Sequence, residues 1–332
     1  MAQELMEKEK EILIDFKCLI CGNSSGNKKY KVKEMQFGMR DEFIYCECSS
    51  CGCLQLVNPP ENISKYYPQN YFAFGFVKGS FLKEKLNSCR DNYLMGGNSL
   101  IGRVLSFKLD EPTYIKWMKS AGVNLNSKIL DVGCGAGKLL YRMGNAGFKE
   151  LTGIDMFIDK NIKYENGVKI FKESLFNIND RYDLIMLHHS LEHMEDQHKV
   201  FKHLTKIVKK GKILLIRIPV CSSRAWKIYR ENWFALEAPR HYFNHTEKSI
   251  LMLAEQYGFR EKYISYDSRS IQFWGSEQYK KDIPLMDESS YFINPGNSVF
   301  SKEEIDEFEK ETVKVNESGE GDQIVLFLVK VR

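Results

Sequence analysis

Residues 128–157 read KILDVGCGAGKLLYRMGNAGFKELTGIDMF, and they constrain this chain more than any other stretch. Ile129 and Leu130 begin a buried-type strand that runs into Asp131-Val132-Gly133-Cys134-Gly135-Ala136-Gly137. Beyond it Leu139, Leu140, Met143 and Gly147 recur at helical spacing, so the glycines sit on a strand-to-helix turn. Glycine there lets the backbone approach a ligand closely, and the helix N-terminus offers N–H groups with no partner of their own. A second strand, 151–154, ends on Asp155, a carboxylate placed to take two ribose hydroxyls. An acid before the glycines and another about 20 residues beyond them give the spacing of a nucleotide-binding βαβ unit.

ILDVGCGAG followed by GIDMF resembles the first two motifs of class I S-adenosylmethionine (SAM) methyltransferases. The resemblance implies that Asp131, Gly133, Cys134, Gly135 and Gly137 hold the methionine end of SAM, and that Asp155, with Met156 beside it, holds the ribose. It further implies adenine contacts at Ser174 and Leu175 after the third strand, and cofactor contacts at His188 and His189 after the fourth. The competing reading is a dinucleotide dehydrogenase, whose fingerprint spaces its glycines differently and lacks the leading Asp.

At 332 residues the chain can bury a full core and hold more than one folding unit. A net charge of +4 is too small to argue for nucleic acid by itself. No apolar run approaches membrane-spanning length, and residues 1–10 are too charged for a signal peptide, which points to the cytoplasm. Nine cysteines, an odd count, then suggest metal ligands and free thiols rather than a disulfide framework.

Six of those cysteines come early. Cys18-Leu-Ile-Cys21-Gly22 and Cys48-Ser-Ser-Cys51-Gly52 repeat one pattern, in which a tight turn aims two thiolates at one ion. Two such knuckles supply the four sulfurs of a tetrahedral structural zinc, and the β-rich text between them suits a hairpin. Cys46 and Cys53 flank the second knuckle and are left out of the ligand set. This gives a zinc-ribbon module over residues 1–60, a connector and cap over 61–122, and the SAM domain over 123–332.

In the connector, Asn58-Pro59-Pro60 ends the ribbon. Tyr66, Tyr67, Tyr71, Phe72, Phe74 and Phe76 gather around Pro68, a patch that must pack on something, either interdomain core or a lid over the cofactor. A helix is expected over 110–122, with Asp110 as its cap and Tyr114, Trp117, Met118 and Ala121 on one face.

After Asp155 the βα alternation continues, with strands at 168–171, 182–187, 212–219, 261–267 and 324–331. Helices fall between them: one ended by Lys210-Gly211, one over 246–258, and a last one opened by a Ser301/Glu304 capping box. The order implies an α/β fold, a doubly wound Rossmann-like seven-stranded sheet with a terminal antiparallel strand. Ligands should bind beyond the carboxyl ends of its strands.

Two loops there are chemically unusual. LHHSLEHMED, around Glu192 and His193, resembles the segment after the fourth strand of many small-molecule methyltransferases, sugar methyltransferases included. The other loop, 221–245, reads as a lid insertion. Its text from Trp233 onward resembles a stretch of bacterial methyltransferases that act on surface glycans and sugar nucleotides. That resemblance implies aromatic stacking of a sugar on Trp233 and Tyr242, and phosphate capture by Arg240. A sugar hydroxyl needs a base, for which His241, His193 and Glu192 are the candidates. No acidic pair follows the fourth strand, so nothing points to a catalytic magnesium.

The resulting expectation is a SAM-dependent O-methyltransferase with a structural zinc, acting on a nucleotide sugar or glycan. The alternatives are a sugar C-methyltransferase, a zinc-ribbon ribosomal or transfer RNA methyltransferase drawing on Lys206, Lys209, Lys210 and Lys212, and a SAM-binding scaffold without a base.

Overall fold

The computed structural model describes residues 16–67 and 80–332. Three short strands come first, β1 (Lys28–Lys33), β2 (Glu42–Glu47) and β3 (Leu54–Val57), paired antiparallel. Their alternation is the period-two pattern of a one-sided sheet: Tyr30 and Val32 of β1 are buried, whereas Lys28, Lys31 and Lys33 face solvent. Of the aromatic connector, Tyr66 is buried edge-on against Phe43 at 5.5 Å. Pro68, Tyr71, Phe72, Phe74 and Phe76 lie outside the described residues.

Two helices that periodicity did not announce follow, α1 (Phe81–Leu94) and α2 (Leu100–Lys108), packed as a hairpin. Gly102 permits the close crossing, because a Cβ there would sit 2.0 Å from the Cys89 carbonyl oxygen. Buried Asp91 ties α1 to the main domain by accepting from Tyr114 Oη at 2.7 Å and Arg142 Nε at 3.0 Å. In α3 (Thr113–Ala121) the cap is Pro112, not Asp110; the Asp110 carbonyl accepts from Arg90 instead. Tyr114, Ile115, Met118 and Ala121 face inward.

The βα alternation then runs through β4 (Lys128–Val132), α4 (Lys138–Asn145), β5 (Glu150–Ile154), β6 (Ile162–Lys163), β7 (Lys169–Phe171), β8 (Tyr182–His188), α5 (Gln197–Ile207) and β9 (Val208–Pro219). Next come α6 (Arg224–Tyr229), β10 (Phe243–Asn244), α7 (Glu247–Gln256), β11 (Phe259–Tyr266), α8 (Ile271–Lys280), α9 (Lys302–Ser318) and β12 (Gln323–Lys330). The main sheet is ordered β11-β12-β9-β8-β4-β5-β7-β6. β12 slots between β9 and β11, antiparallel to both, and β4, β5, β7, β8 and β9 run parallel. The eighth strand is β6, two residues against β7 and too short to leave a periodic signal. The capping boxes at Thr246 and Ser301 both form.

Lys210-Gly211 does not end a helix. α5 stops at Ile207, and Val208 opens β9 as a fully buried residue. Gly211, at φ 73°, takes up the extra residues where the β8–β9 register jumps from Tyr182↔Val208 to Leu184↔Ile213.

The connection order reverses at β4, with β5 on one side and β8 on the other, so a crevice opens beyond the carboxyl ends of these strands. A second sheet is ordered β1-β2-β3-β10. Its last strand comes from the 221–245 insertion, through Phe243↔Gln55 and Asn244↔Leu54. The insertion and the N-terminal module are therefore one packed unit, and the aromatic residues of the insertion fill its interior. Trp226 and Trp233 are buried, 6.0 Å apart edge-to-face, and Tyr30 packs on Trp226 at 5.0 Å.

Candidate active site and metal centre

The turn after β4 takes the shape its glycines permit. Gly133, Gly135 and Gly137 all have positive φ. A Cβ on Gly133 would meet the Ser190 Cβ at 2.4 Å, and one on Gly137 would meet Ile170 Cδ1 at 2.4 Å. The β4 and β8 loops thus touch at Gly133 and Ser190. Asp155 closes the turn from the β5 side, accepting from Gly135 N at 2.9 Å and from Phe157 N at 2.8 Å. Each carboxylate oxygen keeps further acceptor capacity for a diol.

Asp131 is buried, and its Oδ1 has no hydrogen-bond partner among the described residues. Burial, reinforced by the nearby Asp155 charge, pushes its carboxyl up to about 8. An orphaned acid behind a glycine turn, with a second acid ahead of it, fits a ligand carrying a cation at one end and a ribose at the other. Met156 and Phe157 stand exposed beyond Asp155. Ser174 caps a short turn by accepting from Phe176 N, and Leu175 is buried under it. Cys134 is half-buried, and a Cβ on Gly153 would lie 2.6 Å from its sulfur.

At the end of β8, His188 stacks on Trp117 with ring centroids 5.0 Å apart, and its two nitrogens have no hydrogen bond among the described residues. Burial, then the Arg217 and His189 charges, lower it to about 3, so it stays neutral. His189 is exposed, with its Nε2 2.6 Å from Arg217 Nη1.

The next turn brings together three residues that sequence reasoning had singled out. One ligand atom each from Glu192, His193 and His241 lies within 4.8 Å of the other two. The imidazoles meet edge-to-face at 4.6 Å. His193 Nδ1 lies 2.9 Å from the Arg240 carbonyl, and His241 Nδ1 lies 2.9 Å from the Ala235 carbonyl. A carbonyl only accepts, so both Nδ1 atoms carry the proton and both Nε2 atoms keep the lone pair. Burial is the main cause holding each imidazole down, at about 4. Burial acts to raise Glu192, but the surrounding His189, His193 and His241 outweigh it, and the carboxyl stays ionised. Neither of its oxygens has a hydrogen bond among the described residues, and His189 Nδ1 stands 3.5 Å away.

Tyr67 joins this cluster to the cofactor turn. Its hydroxyl is 3.2 Å from His193 Nδ1, and its ring stacks on Phe157 at 5.7 Å and 11°. Sequence reasoning placed Tyr67 in an aromatic patch without assigning it that role; position alone, two elements away, carries no such signal. Arg217 and Trp117, which box in His188 and His189, escaped it for the same reason.

The expected substrate contacts fare differently. Arg240 is fully buried, with Nη1 donating to Glu34 Oε1 at 3.1 Å and Nη2 to Gln36 Oε1 at 2.7 Å. Those bonds commit its guanidinium to the protein's own interior rather than to a substrate phosphate. Trp233 is likewise buried, donating Nε1–H to Asp322 at 3.1 Å, so its face is not offered to a sugar ring. Tyr242 is 9% exposed, and its backbone bridges the Glu192 carbonyl and Leu56 N. Two further histidines, on α5, are held by backbone carbonyls. His198 reaches the Leu19 carbonyl at 2.9 Å and His203 the Ile178 carbonyl at 2.9 Å. Lys209 and Lys212 pair with Asp183 at the opposite end of β8 from the crevice, so they line no groove beside it.

In the N-terminal module, the sulfurs of Cys18, Cys21, Cys48 and Cys51 converge. Cys18 and Cys51 are 3.6 Å apart and Cys21 and Cys48 3.4 Å. The two knuckles are alike: Gly22 N donates to Cys18 O and Gly52 N to Cys48 O, both glycines near φ 75°. Gln55 Nε2 donates to Cys18 Sγ at 2.9 Å, the kind of outer contact that orients a metal ligand. Four sulfurs around one point fit zinc in donor type and number. Cys53 points elsewhere, toward the Leu54 carbonyl and His245, and Cys46 is buried in β2.

Residues 110–261 match a family model described as "Methyltransferase domain". A ubiquinone biosynthesis O-methyltransferase of Bordetella avium is 32% identical over 113 residues, 30% of this chain and 46% of that protein. An EEF1A lysine methyltransferase 2 of Danio rerio is 38% identical over 60 residues, 17% of this chain and 26% of its own. The chain thus spans less than half the length of these relatives. Among solved structures, the magnesium protoporphyrin IX methyltransferase of Synechocystis PCC 6803 with bound SAH superposes with a TM-score of 0.40 at 17% identity, over 62% of this chain and 92% of that one. Residues 110–261 are a SAM-dependent methyltransferase domain. No helix among the described residues is long and apolar enough to cross a membrane.

Proposed function

We propose that the chain transfers a methyl group from SAM to a hydroxyl oxygen of a small acceptor, with a nucleotide sugar or glycan as the acceptor class. The observation that carries this reading is the Glu192–His193–His241 cluster, joined through Tyr67 to the turn that ends at Phe157. SAM, when bound, supplies an electrophilic methyl group. Asp131 would hold its methionine end, the positive-φ glycines would let the backbone pass it closely, and Asp155 would take the ribose. What remains for the protein is to align an acceptor and hold the proton that its hydroxyl loses. Two Nε2 lone pairs beside a carboxylate suit that task, and the geometry does not separate His193 and His241 into base and bystander. The sugar class rests on the resemblance of the loop text, since Trp233 and Arg240 are interior.

A zinc held by Cys18, Cys21, Cys48 and Cys51 belongs to the same reading as a structural ion, because four thiolates leave no open position for chemistry. A nucleic-acid acceptor has no comparable support: the lysines that would favour it sit at the far end of β8 and β9.

The test is methyl transfer against a panel of nucleotide sugars and phenolic acceptors, with His193→Ala and His241→Ala beside the parent. Each variant should lose about 10²–10⁴-fold in turnover with SAM affinity unchanged. Full turnover in both variants would remove the cluster from the chemistry, and transfer only to phenols would replace the sugar class.

A further inference from the structure

Glu192, His193 and His241 pose a chemical problem that hydrogen bonds between them do not solve. Each Nδ1–H is used on a backbone carbonyl, Arg240 O for one ring and Ala235 O for the other. That leaves an Nε2 acceptor on each ring, His241's 3.8 Å from Glu237 Oε2, in a cluster whose third member, Glu192, is itself only an acceptor, with no donor among the three. Both oxygens of Glu192 are buried and lack a hydrogen bond among the described residues. Acceptors brought to within 4.8 Å of one another in this way are the arrangement that a bound cation resolves.

We propose that Glu192, His193 and His241 form a divalent-metal site beside the cofactor turn, separate from the four-cysteine centre. Carbonyl bonds to the far nitrogens of metal-bound histidines are the usual outer contacts that fix ring and tautomer, and both are already in place here. Two imidazoles and one carboxylate on one side of an ion leave positions for outside ligands, and they suit Mn²⁺, Fe²⁺ or Zn²⁺ better than Mg²⁺. The backbone serves the site as well: Tyr242 N donates to the Glu192 carbonyl at 2.9 Å, clamping the 191–193 turn to the segment that carries His241. The inference rests on the reading of this cluster as the place where an acceptor hydroxyl is handled, and it replaces the rings as the base, because the ion would take their Nε2 lone pairs. An oxygen ligand on the ion would be acidified, and its proton would leave to solvent.

Mn²⁺ is the suitable probe, because thiolate sites select softer ions and the four-cysteine centre stays filled with zinc. The full chain, purified with its zinc and without acceptor or SAM, is titrated with Mn²⁺ while the signal of the free ion is followed by electron paramagnetic resonance. One saturable equivalent is expected, weakened at least about tenfold in Glu192→Gln and in His241→Ala. SAH affinity and zinc content, measured on the same samples, show whether each variant is folded. Should His241→Ala fail that check, the near-isosteric Glu192→Gln carries the test alone. Absence of saturable binding, or binding unchanged in the folded variants, overturns the metal site. Turnover by protein that binds no Mn²⁺ would do the same while leaving the methyl-transfer reading intact. Saturable binding without turnover on any acceptor would keep the site and remove that reading.

Discussion

Replacing Asp131 with Asn should uncouple cofactor binding from pH. In the unliganded protein the Asp131 carboxyl is pushed up to about 8 by burial and by Asp155, and its Oδ1 is orphaned. A ligand ammonium beside it would favour the ionised form, so binding below pH 8 must expel one proton. The sign follows from that release. Affinity for SAH rises with pH up to about 8 and then levels, losing about 1.4 kcal/mol, or tenfold, for each unit below it. Between pH 8, where half the carboxyl is already ionised, and pH 6 the parent should therefore weaken about fiftyfold, and Asp131→Asn, which has no proton to release, should not. Calorimetry in two buffers of different ionisation enthalpy would count the released proton directly. Stability of the unliganded protein moves the opposite way. A carboxyl raised above its unfolded value holds its proton in the native state, so stability falls as pH climbs from the ordinary carboxylate range through 8. The Asn variant should lose that fall. Equal parent affinity at pH 6 and pH 8, or an Asn variant that keeps the slope, would refute the placement of Asp131 against the ligand's cation.

Asp155→Asn should weaken SAH by about 1.5–3 kcal/mol in calorimetry, because a charge-assisted diol contact is lost and one of the two backbone donors at Gly135 and Phe157 then faces an amide. Elemental analysis should find one zinc per chain, lost when Cys18 and Cys48 are both replaced by Ser and kept in Cys46→Ser. Arg240→Met should destabilise the fold by about 3 kcal/mol in chemical denaturation, at the low end for a broken buried pair because Glu34 keeps backbone donors from Gln36, Phe37 and Met39. If that variant keeps its stability and loses only acceptor affinity, Arg240 reaches the substrate after all.

What could be read in advance was local. Asp131, the glycines and Asp155 span one βα turn, so their spacing alone puts them together, and the two C-x-x-C-G turns announce the convergence of their four sulfurs in the same way. Helix α7 announced its start at Thr246 and its stop at Gly258 within a dozen residues. The failures are all matters of distant partners. Aromatic text in 221–245 looks the same whether it stacks on a sugar or fills a gap, and only the pairing of β10 with β3 decides for the gap. Arg240 reads as a phosphate ligand until Glu34, 206 residues earlier, is found against it. Helices α1 and α2 hid because their anchors, Asp91 to Arg142 and Gly102 to Cys89, break no periodic rule that a window can see. The candidate site stands between these cases. Glu192 and His193 sit at the strand end that the fold reserves for ligands, whereas His241 reaches them only because Tyr242 N is tied to the Glu192 carbonyl. The same N-terminal sheet that carries the four cysteines therefore also positions one of the three polar groups at the crevice, since β10 begins two residues after His241. Stripping the zinc should then disturb the crevice, and the methyl-transfer domain without residues 16–67 should lose the Glu192–His193–His241 geometry even with its cofactor turn intact.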